Sequence, residues 1–298
     1  MKRFVLLYNP IAGDAYFKYK LDEFIERFQR RGCVIIPFKL LERIDTARFV
    51  NFAQEIGADG IIAAGGDGTL HSVINAMFTM DVDLPLGIIP SGTSNDFATF
   101  LKLGSDLEKC IEIIANGQIR AVDVGQVNGE RYFINVASAG LLTGVAHSAD
   151  TMLKNTLGKV AYYLKGIEEL PSFRPLKMRI NADGAIIEDE IFLFLIANSG
   201  TVGSFRALAP NAQINDGKLD LLVASKCRLP ELMRMFISLL TGTHINHKSV
   251  RYIQAKTITI ECAEELVSDL DGELGPQLPL CVTALSNKLR IFTTAEGK

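Results

Sequence analysis

The chain has 298 residues, of which 48% are hydrophobic and 22% charged, and this composition excludes wholesale disorder. Because a domain usually spans about 100–200 residues, the length predicts two domains. Lys and Arg number 31 against 34 Asp and Glu, and the net charge of −3 excludes a strongly basic protein that binds nucleic acid through its bulk charge.

Membrane-spanning and secretory segments are not expected. No charge-free apolar stretch reaches the ~18 residues of a membrane-spanning helix. The apolar run at residues 4–7 is shorter than the core of a signal peptide, which takes about 7–15 residues. The five cysteines have no Cys-x-x-Cys spacing, which disfavours a zinc site or a disulfide framework. We therefore expect a cytoplasmic protein whose membrane contact is peripheral.

The first ~120 residues alternate strand and helix patterns. Short apolar runs predict strands at 3–8, 33–38, 60–64 and 86–89. Helical periodicity predicts helices around 21–28, at 46–56 with Asp45 as the N-cap, at 70–78 and after 96. Strands that alternate with helices predict βαβ units and a mostly parallel sheet.

After Gly117 the pattern becomes rich in strands. Predicted strands lie at 121–127, 131–137, 177–181, 191–197, 219–224, 257–262 and 289–293, with a hairpin turn at Asn128-Gly129. Helical patterns interrupt them near 157–169 and 231–240. We therefore predict an α/β N-terminal domain at 1–120 and a β-sandwich-type domain at 121–298.

Three glycine-containing loops follow predicted strands of the first domain, at residues 9–13, 65–69 and 90–96. In an open α/β sheet, ligands bind outside the carboxyl ends of the strands, and glycines let backbone N–H groups approach phosphate oxygens. Each loop alone also fits an ordinary turn, but three loops at one sheet edge favour a phosphate site. The sequence patterns of P-loop NTPases and dinucleotide-binding dehydrogenases are absent, and Asp67 offers a carboxylate for Mg²⁺, directly or through water.

Five segments, in this order, carry a resemblance to a known family. They are Asn9-Pro10 with Gly13, Gly-Gly-Asp67-Gly-Thr-Leu, Ile-Pro90-Ser-Gly-Thr93-Ser-Asn-Asp96-Phe, Asn215-Asp216-Gly217-Lys218-Leu219-Asp220, and Asp271-Gly272-Glu273. Together they resemble the diacylglycerol kinase catalytic family, specifically its soluble bacterial lipid kinases, over nearly the whole chain. NAD kinases share Gly-Gly-Asp-Gly-Thr, whereas Gly-Thr-Ser-Asn-Asp and the late Asp-Gly-Glu make the match to lipid kinases specific.

The resemblance implies an ATP- and Mg²⁺-dependent lipid kinase whose α/β domain is of the NAD-kinase and diacylglycerol-kinase type, with ATP in a cleft between two domains. The residues that it places on the nucleotide are Asn9, Pro10, Gly13, Gly66, Asp67, Gly68, Thr69, Thr93 and Asp96. Asp67 and Asp96 match the acidic residues that organise Mg²⁺–ATP, and Asp67 is a catalytic candidate. A further Mg²⁺ site would use Asp216 with backbone carbonyls of Gln213 and Lys218, and Glu273 matches the general base.

Several interpretations remain open. His71 and Ser72 stand where the family commonly has Asn and Glu, and Asn215 stands where many members have Asp. A non-catalytic relative that senses lipid or nucleotide is therefore one alternative, and an NAD kinase-like small-molecule kinase is another. Asp271-Gly272 alone also fits a plain hairpin turn.

The expected partner is a lipid at the membrane surface and not nucleic acid. The motifs decide neither which lipid is used nor whether the chain is a monomer or a homodimer. Apolar helical patterns near 157–170 and 232–240 fit packing on the second domain better than membrane contact. The basic residues Lys154, Lys159, Lys165 and Arg174 fit a solvated face better than a headgroup site.

Overall fold

The computed structural model describes residues 1–13, 15–41, 43–140, 174–202, 205, 207–239 and 241–294. The chain forms two compact units: unit 1 consists of Met1–Val124 and Leu285–Lys298, and unit 2 of Gly125–Ala284. The C-terminal segment thus belongs to unit 1, whereas the predicted division has a single boundary near residue 120. The helix expected near 157–169 and the residues Lys154, Lys159 and Lys165 lie outside the described residues.

Unit 1 is a parallel sheet with helices between its strands. Its elements are β1 (Lys2–Tyr8), α1 (Tyr16–Arg30), β2 (Cys33–Lys39), α2 (Arg43–Glu55), β3 (Gly60–Gly65), α3 (Asp67–Thr79), β4 (Leu86–Pro90), α4 (Asp96–Phe100) and α5 (Leu107–Asn116). The strands pair in the order β4-β3-β1-β2, all in parallel. Residues 4–7 of β1 are fully buried, as expected for a strand covered on both faces. Phe24 and Phe28 of α1 pack on this sheet, and the rings of Phe4 and Phe28 are 5.8 Å apart.

Unit 2 is built from antiparallel strands around one apolar core. Its elements, with the two strands that enter and leave it, are β5 (Ile119–Val127), β6 (Arg131–Phe133), β7 (Val136–Gly140), β8 (Leu176–Ala182), β9 (Ala185–Ala197), β10 (Leu219–Ser225), α6 (Leu229–Leu239), a 3₁₀ helix (Thr243–Asn246), β11 (Val250–Ala255), β12 (Thr257–Cys262), β13 (Val267–Leu270), β14 (Glu273–Gln277) and β15 (Leu280–Phe292). The strands pair in the order β14-β13-β7-β9-β8-β12-β15, and β10 pairs with β9 and β11. Phe133, Phe194, Leu221 and Ile258 are fully buried in the core. Both halves of the predicted fold class, mostly parallel α/β and β-sandwich-type, are confirmed.

Two local predictions are wrong. The helix expected at 46–56 begins at Arg43, so Asp45 lies within its first turn and is not its N-cap. An acidic residue is favoured both as a cap and within the first turn, so its position alone does not fix the helix start. The strand expected at 131–137 is divided between β6 and β7, because the N–H groups of residues 134–136 donate to the Asp271 carboxylate and not to a neighbouring strand.

The helices of the described residues are shorter or more polar than a membrane-spanning helix. Within the ranges given above, none combines the length and the hydrophobicity that crossing a membrane requires.

Candidate active site

The three glycine-containing loops of unit 1 lie at one edge of its sheet. β1, β3 and β4 are neighbours that run in parallel, so their carboxyl ends are adjacent. We call the segments that follow them the first loop (residues 9–13), the second loop (66–69) and the third loop (91–96). The first loop is tied to β3 because the Asn9 N–H donates to the Ala64 carbonyl at 2.9 Å. The third loop is tied to β3 because the Ser91 N–H donates to the Gly65 carbonyl at 3.0 Å.

The loops also approach each other closely enough to require glycine. A Cβ added to Gly13 would lie 2.5 Å from the Ser91 carbonyl oxygen. The backbone of the third loop therefore occupies the space that a side chain at position 13 would need. A Cβ added to Gly92 would lie 2.3 Å from the Gly66 Cα, so the backbone of the second loop occupies the space of a side chain at position 92. Glycine at these positions therefore allows three backbone segments to share one small region.

A side-chain contact completes the arrangement. Asn9 Nδ2 donates to Thr69 Oγ1 at 3.4 Å, which joins the first and second loops. Asn9 Oδ1 accepts the Ile11 N–H at 3.1 Å, so the same side chain also shapes its own loop. The amide of Asn9 occupies an acceptor site of the Thr69 hydroxyl, and this leaves the Thr69 O–H able to donate to a ligand oxygen.

The third loop is held by a residue to which the sequence analysis gave no role. Asn95 has φ 49, its Oδ1 accepts the Gly92 N–H at 2.9 Å, and its Nδ2 donates to the Gly92 carbonyl at 2.8 Å. The side chain therefore closes the loop on itself. The available signal was the residue type, since asparagine tolerates left-handed backbone and bonds to nearby backbone groups in turns.

The nine residues predicted to contact a nucleotide all lie in or beside these three loops. Gly13 and Thr93 are exposed, whereas Pro10, Thr69 and Asp96 are buried. The remaining four are partly buried, namely Asn9, Gly66, Asp67 and Gly68. They are brought together by the sheet topology, and their individual contacts with a nucleotide stay predictions.

The second loop consists of Gly66 and the first three residues of α3, a helix of 13 residues whose first residue is Asp67. Gly66 precedes the helix and makes no side-chain cap to it. The first N–H groups of a helix point along its axis and carry partial positive charge, so a phosphate oxygen is a suitable acceptor here. His71 lies one turn into α3, where it is buried with its Nε2 3.3 Å from Asn75 Nδ2.

The residues of the predicted Mg²⁺ loop lie together in one turn of unit 2, immediately before β10. Asp216 is exposed, its Oδ1 accepts the Lys218 N–H at 3.0 Å, and Gly217 follows it with φ 74. The side chains of Gln213 and Lys218 are exposed. Their carbonyl oxygens, together with the Asp216 carboxylate, are the hard oxygen donors that Mg²⁺ prefers, so the donor set fits this ion. Among the described residues, no group of three or more His, Cys, Asp or Glu side chains is arranged to hold a metal ion.

A buried carboxylate stands next to this turn. Asp220 is 1% exposed and accepts hydrogen bonds from the Tyr252 hydroxyl and, at 3.0 Å, from Gln254 Nε2. Burial raises the pKa of the Asp220 carboxyl, and these two hydrogen bonds oppose the rise. The nearby negative charge of Asp216 also raises this pKa. Burial, followed by the bond to Asp220, also raises the pKa of the Tyr252 hydroxyl.

Glu273 lies in a different turn of unit 2. It is the first residue of β14, is partly buried, and pairs with Leu270 of β13. Asp271 and Gly272 join the two strands, both at positive φ, so the hairpin-turn interpretation of this dipeptide is correct as local geometry. The turn explains how the backbone reverses and leaves the role of Glu273 a prediction.

Sequence reasoning missed a buried polar network beside that turn. Asn135, Asn198 and Ser199 are 3%, 0% and 0% exposed, and the Ser199 hydroxyl lies 2.8 Å from Asn135 Oδ1. Asn198 Nδ2 donates to the Ile134 carbonyl at 3.0 Å. The only local signal was the Asn-Ser pair directly after the apolar run of β9, which ends at Ala197.

Comparison with known proteins covers both units. Residues 3–127 match the diacylglycerol kinase catalytic domain, and residues 135–293 match the YegS C-terminal NAD kinase beta sandwich-like domain. The chain is 40% identical to a diacylglycerol kinase of Bacillus subtilis over 280 residues, which cover 94% of this chain and 92% of the relative. It is 34% identical to a diacylglycerol kinase of Staphylococcus carnosus over 297 residues, which cover 100% of this chain and 97% of the relative.

A solved structure has the same architecture. It is a Bacillus anthracis protein described as a diacylglycerol kinase, and it superimposes with a TM-score of 0.83 at 27% identity. The match covers 100% of this chain and 97% of that protein, so both units are present in the two structures.

Proposed function

This chain belongs to the diacylglycerol kinase catalytic-domain family and is an ATP-dependent lipid kinase, and on that premise we propose that it transfers the γ-phosphoryl group of ATP to the hydroxyl of a diacylglycerol-like lipid in a Mg²⁺-dependent reaction. The observation that carries the proposal is the convergence of the three loops of unit 1. Gly13, Gly66 and Gly92 place their backbones in contact, and a cluster of backbone N–H groups beside a helix N-terminus suits a polyphosphate.

The loops supply what phosphoryl transfer requires. Such reactions depend mainly on positioning and on neutralising negative charge around the transferred group. We assign the backbone N–H groups of the second loop and the Thr69 O–H as donors to phosphate oxygens. Asp67 and Asp96 begin α3 and α4 and are assigned to organise the Mg²⁺ that accompanies ATP.

Glu273 is assigned as the general base. Its carboxylate would accept the proton of the lipid hydroxyl while the hydroxyl oxygen forms a bond to the γ-phosphorus and the bond from that phosphorus to the bridging oxygen breaks. ADP then leaves with the electron pair of that bond, and the products are a phosphorylated lipid and ADP. Carboxylates perform this task when they are within hydrogen-bond reach of the hydroxyl.

A further Mg²⁺ would be held by the Asp216 carboxylate with the carbonyl oxygens of Gln213 and Lys218. A divalent cation bound there supplies positive charge and rigidity to the turn. Asp220, fixed by Tyr252 and Gln254, would keep the base of this turn in place. We also propose that the chain reaches its lipid at the cytoplasmic surface of a membrane by peripheral contact.

The test is a transfer assay with γ-phosphate-labelled ATP and a total lipid extract, with the product identified by mass spectrometry. Removal of a general base typically costs about 10²–10⁴-fold, so Glu273→Gln should lose that much turnover. Its ATP affinity, measured by calorimetry, should match the wild type. Glu261→Gln is the control, because Glu261 is exposed on β12 and forms an ion pair with Arg179.

Three outcomes would contradict the proposal. Full activity of Glu273→Gln would refute the base assignment. Formation of NADP from NAD and ATP at a comparable rate would favour an NAD kinase-like enzyme. Unchanged turnover after removal of divalent cations would refute the Mg²⁺ dependence.

A further inference from the structure

We propose that Asp271 is a positioning residue for Glu273: its carboxylate anchors the turn that carries the base to residues 134–136. The inference rests on the proposed role of Glu273, and it adds a residue whose effect on the reaction is exerted through that base.

The position of Glu273 depends strongly on the turn before it. β14 has five residues and lies at the end of the strand order, next to β13. Glu273 is the first residue of this edge strand and pairs with Leu270 across the turn. A residue at the start of a short edge strand has few neighbours to fix its backbone, so the turn itself must do so.

Asp271 provides the anchor. Its Oδ1 accepts the N–H groups of Asn135 at 2.8 Å and Val136 at 2.9 Å, and its Oδ2 accepts the N–H of Ile134 at 2.9 Å. The Asp271 N–H donates in return to the Val136 carbonyl at 2.9 Å. Hydrogen bonds to an ionised carboxylate are stronger than bonds between neutral groups, so this one side chain holds the turn firmly.

The segment that receives the turn is itself fixed. Asn135 Oδ1 lies 2.8 Å from the Ser199 hydroxyl, and the Asn198 N–H donates to the Asn135 carbonyl at 2.8 Å. These groups are buried, where breaking a hydrogen bond leaves a polar atom without water. The chain of contacts therefore runs from the end of β9 through Asn135 and Asp271 to Glu273.

Unit 2 contains a second turn of the same construction, between β8 and β9. Asp183 and Gly184 have φ 47 and φ 94, and the Asp183 carboxylate accepts the N–H groups of Lys256 at 2.7 Å and Thr257 at 2.8 Å. In both turns the N–H of the glycine donates to the side chain three residues earlier: Asn181 here, at 2.8 Å, and Asp269 in the other, at 2.9 Å.

The two turns differ in the residue that follows. The position equivalent to Glu273 is Ala185, which pairs with Ala182 as Glu273 pairs with Leu270. The Asp183 turn therefore shares the backbone device and lacks the carboxylate that we assign as the base. It is therefore a control for the general effect of disturbing a turn of this type.

The first experiment compares Asp271→Asn with Asp183→Asn. Each substitution places an amide NH₂ where one carboxylate oxygen accepted a backbone N–H, so both variants should show a reduced melting temperature. A misplacement of about 1 Å can cost about 10²-fold in rate, so we expect Asp271→Asn to lose about 10–100-fold in kcat. Its KM for ATP should stay close to that of the wild type, and Asp183→Asn should keep its kcat.

The second experiment separates positioning from an independent role. If Asp271 acts through Glu273, then adding Asp271→Asn to Glu273→Gln should cause little further loss, because residues that act as a unit are not additive. Losses that multiply would overturn the proposal. Equal kcat values for Asp271→Asn and Asp183→Asn would overturn it as well.

A milder pair of variants applies where Asp271→Asn does not fold. Gly272 and Gly184 have φ 89 and φ 94, and a Cβ added to either meets no atom within 4 Å. Alanine at each position therefore strains only the turn. Gly272→Ala should lower kcat and Gly184→Ala should not, and equal kcat values would contradict the inference.

The failure of this inference is distinguishable from the failure of the proposed function. If Glu273→Gln is fully active, the base assignment falls. If Glu273→Gln is inactive while Asp271→Asn turns over as fast as Asp183→Asn, only the positioning role of Asp271 falls.

Discussion

Replacing Gly13 with alanine tests the contact on which the nucleotide site depends. Gly13 has φ 55, and a Cβ added there would lie 2.5 Å from the Ser91 carbonyl oxygen. Real Cβ atoms do not approach a carbonyl oxygen so closely, so either the first or the third loop must move. The substitution therefore separates two loops without removing a polar group.

The expected decrease in the free energy of unfolding has two contributions. Left-handed backbone costs a residue with a Cβ about 1–2 kcal/mol. Forcing additional atoms into a packed site typically costs about 1–3 kcal/mol. Gly104 isolates the first part, because it has φ 69 and an added Cβ there meets no atom within 4 Å. We expect Gly104→Ala to lower the free energy of unfolding by about 1–2 kcal/mol and Gly13→Ala to lower it by about 2–5 kcal/mol.

Urea unfolding measures the free energy of unfolding of both variants, and calorimetric titration measures their affinity for ATP. If the loops bind the nucleotide jointly, Gly13→Ala should weaken ATP binding by about tenfold, which corresponds to about 1.4 kcal/mol. Gly104→Ala should bind ATP like the wild type. Equal destabilisation of the two variants, together with equal ATP affinity, would refute the argument for contact between the first and third loops.

Two further predictions concern single polar groups. Thr69→Val removes the hydroxyl that joins Asn9 to the second loop and should weaken ATP binding by about 1 kcal/mol, with exposed Thr79→Val as the control; unchanged affinity would contradict the assignment of Thr69 as a phosphate donor. Burial lowers the pKa of His244, against the opposing effect of its bond to the Leu208 carbonyl. The folded state therefore binds a proton less readily than the unfolded state, and the free energy of unfolding should fall as the pH drops below about 6.5. Urea midpoints should show this slope in the wild type and a smaller one in His244→Asn, and equal slopes would exclude His244 as its source.

The unit 1 loops could be predicted from the sequence because their signals are local. The strand that ends at Gly65 is an apolar run, and the loop and the helix start follow it without interruption. Parallel strands place such loops at one edge regardless of the details of packing. What could not be predicted is that Gly13 meets Ser91 and that Gly92 meets Gly66, because those contacts depend on how far each loop bends after its strand.

In unit 2, the wrong prediction of one continuous strand at 131–137 has a cause that is distant in the sequence. The run at 131–137 resembles one strand, yet residues 134 and 135 lie between β6 and β7, and the N–H groups of residues 134–136 donate to the Asp271 carboxylate. Asp271 lies more than 130 positions further along the chain than the residues whose N–H groups it accepts. No local stretch of sequence contains both hydrogen-bond partners, so strand propensity alone could not predict the break between β6 and β7.

The two Asp-Gly turns show what a motif can and cannot assign. Asp183-Gly184 and Asp271-Gly272 have the same two residues, the same sign of φ and the same use of the carboxylate as an anchor for a distant segment. At these two positions the dipeptide forms a turn, and the turn by itself carries no information about catalysis. What differs is the next residue, Ala185 or Glu273, and the segment that the aspartate holds. The first difference can be read from the sequence, whereas the second exists only in the folded chain, and the proposed placement of the base depends on both.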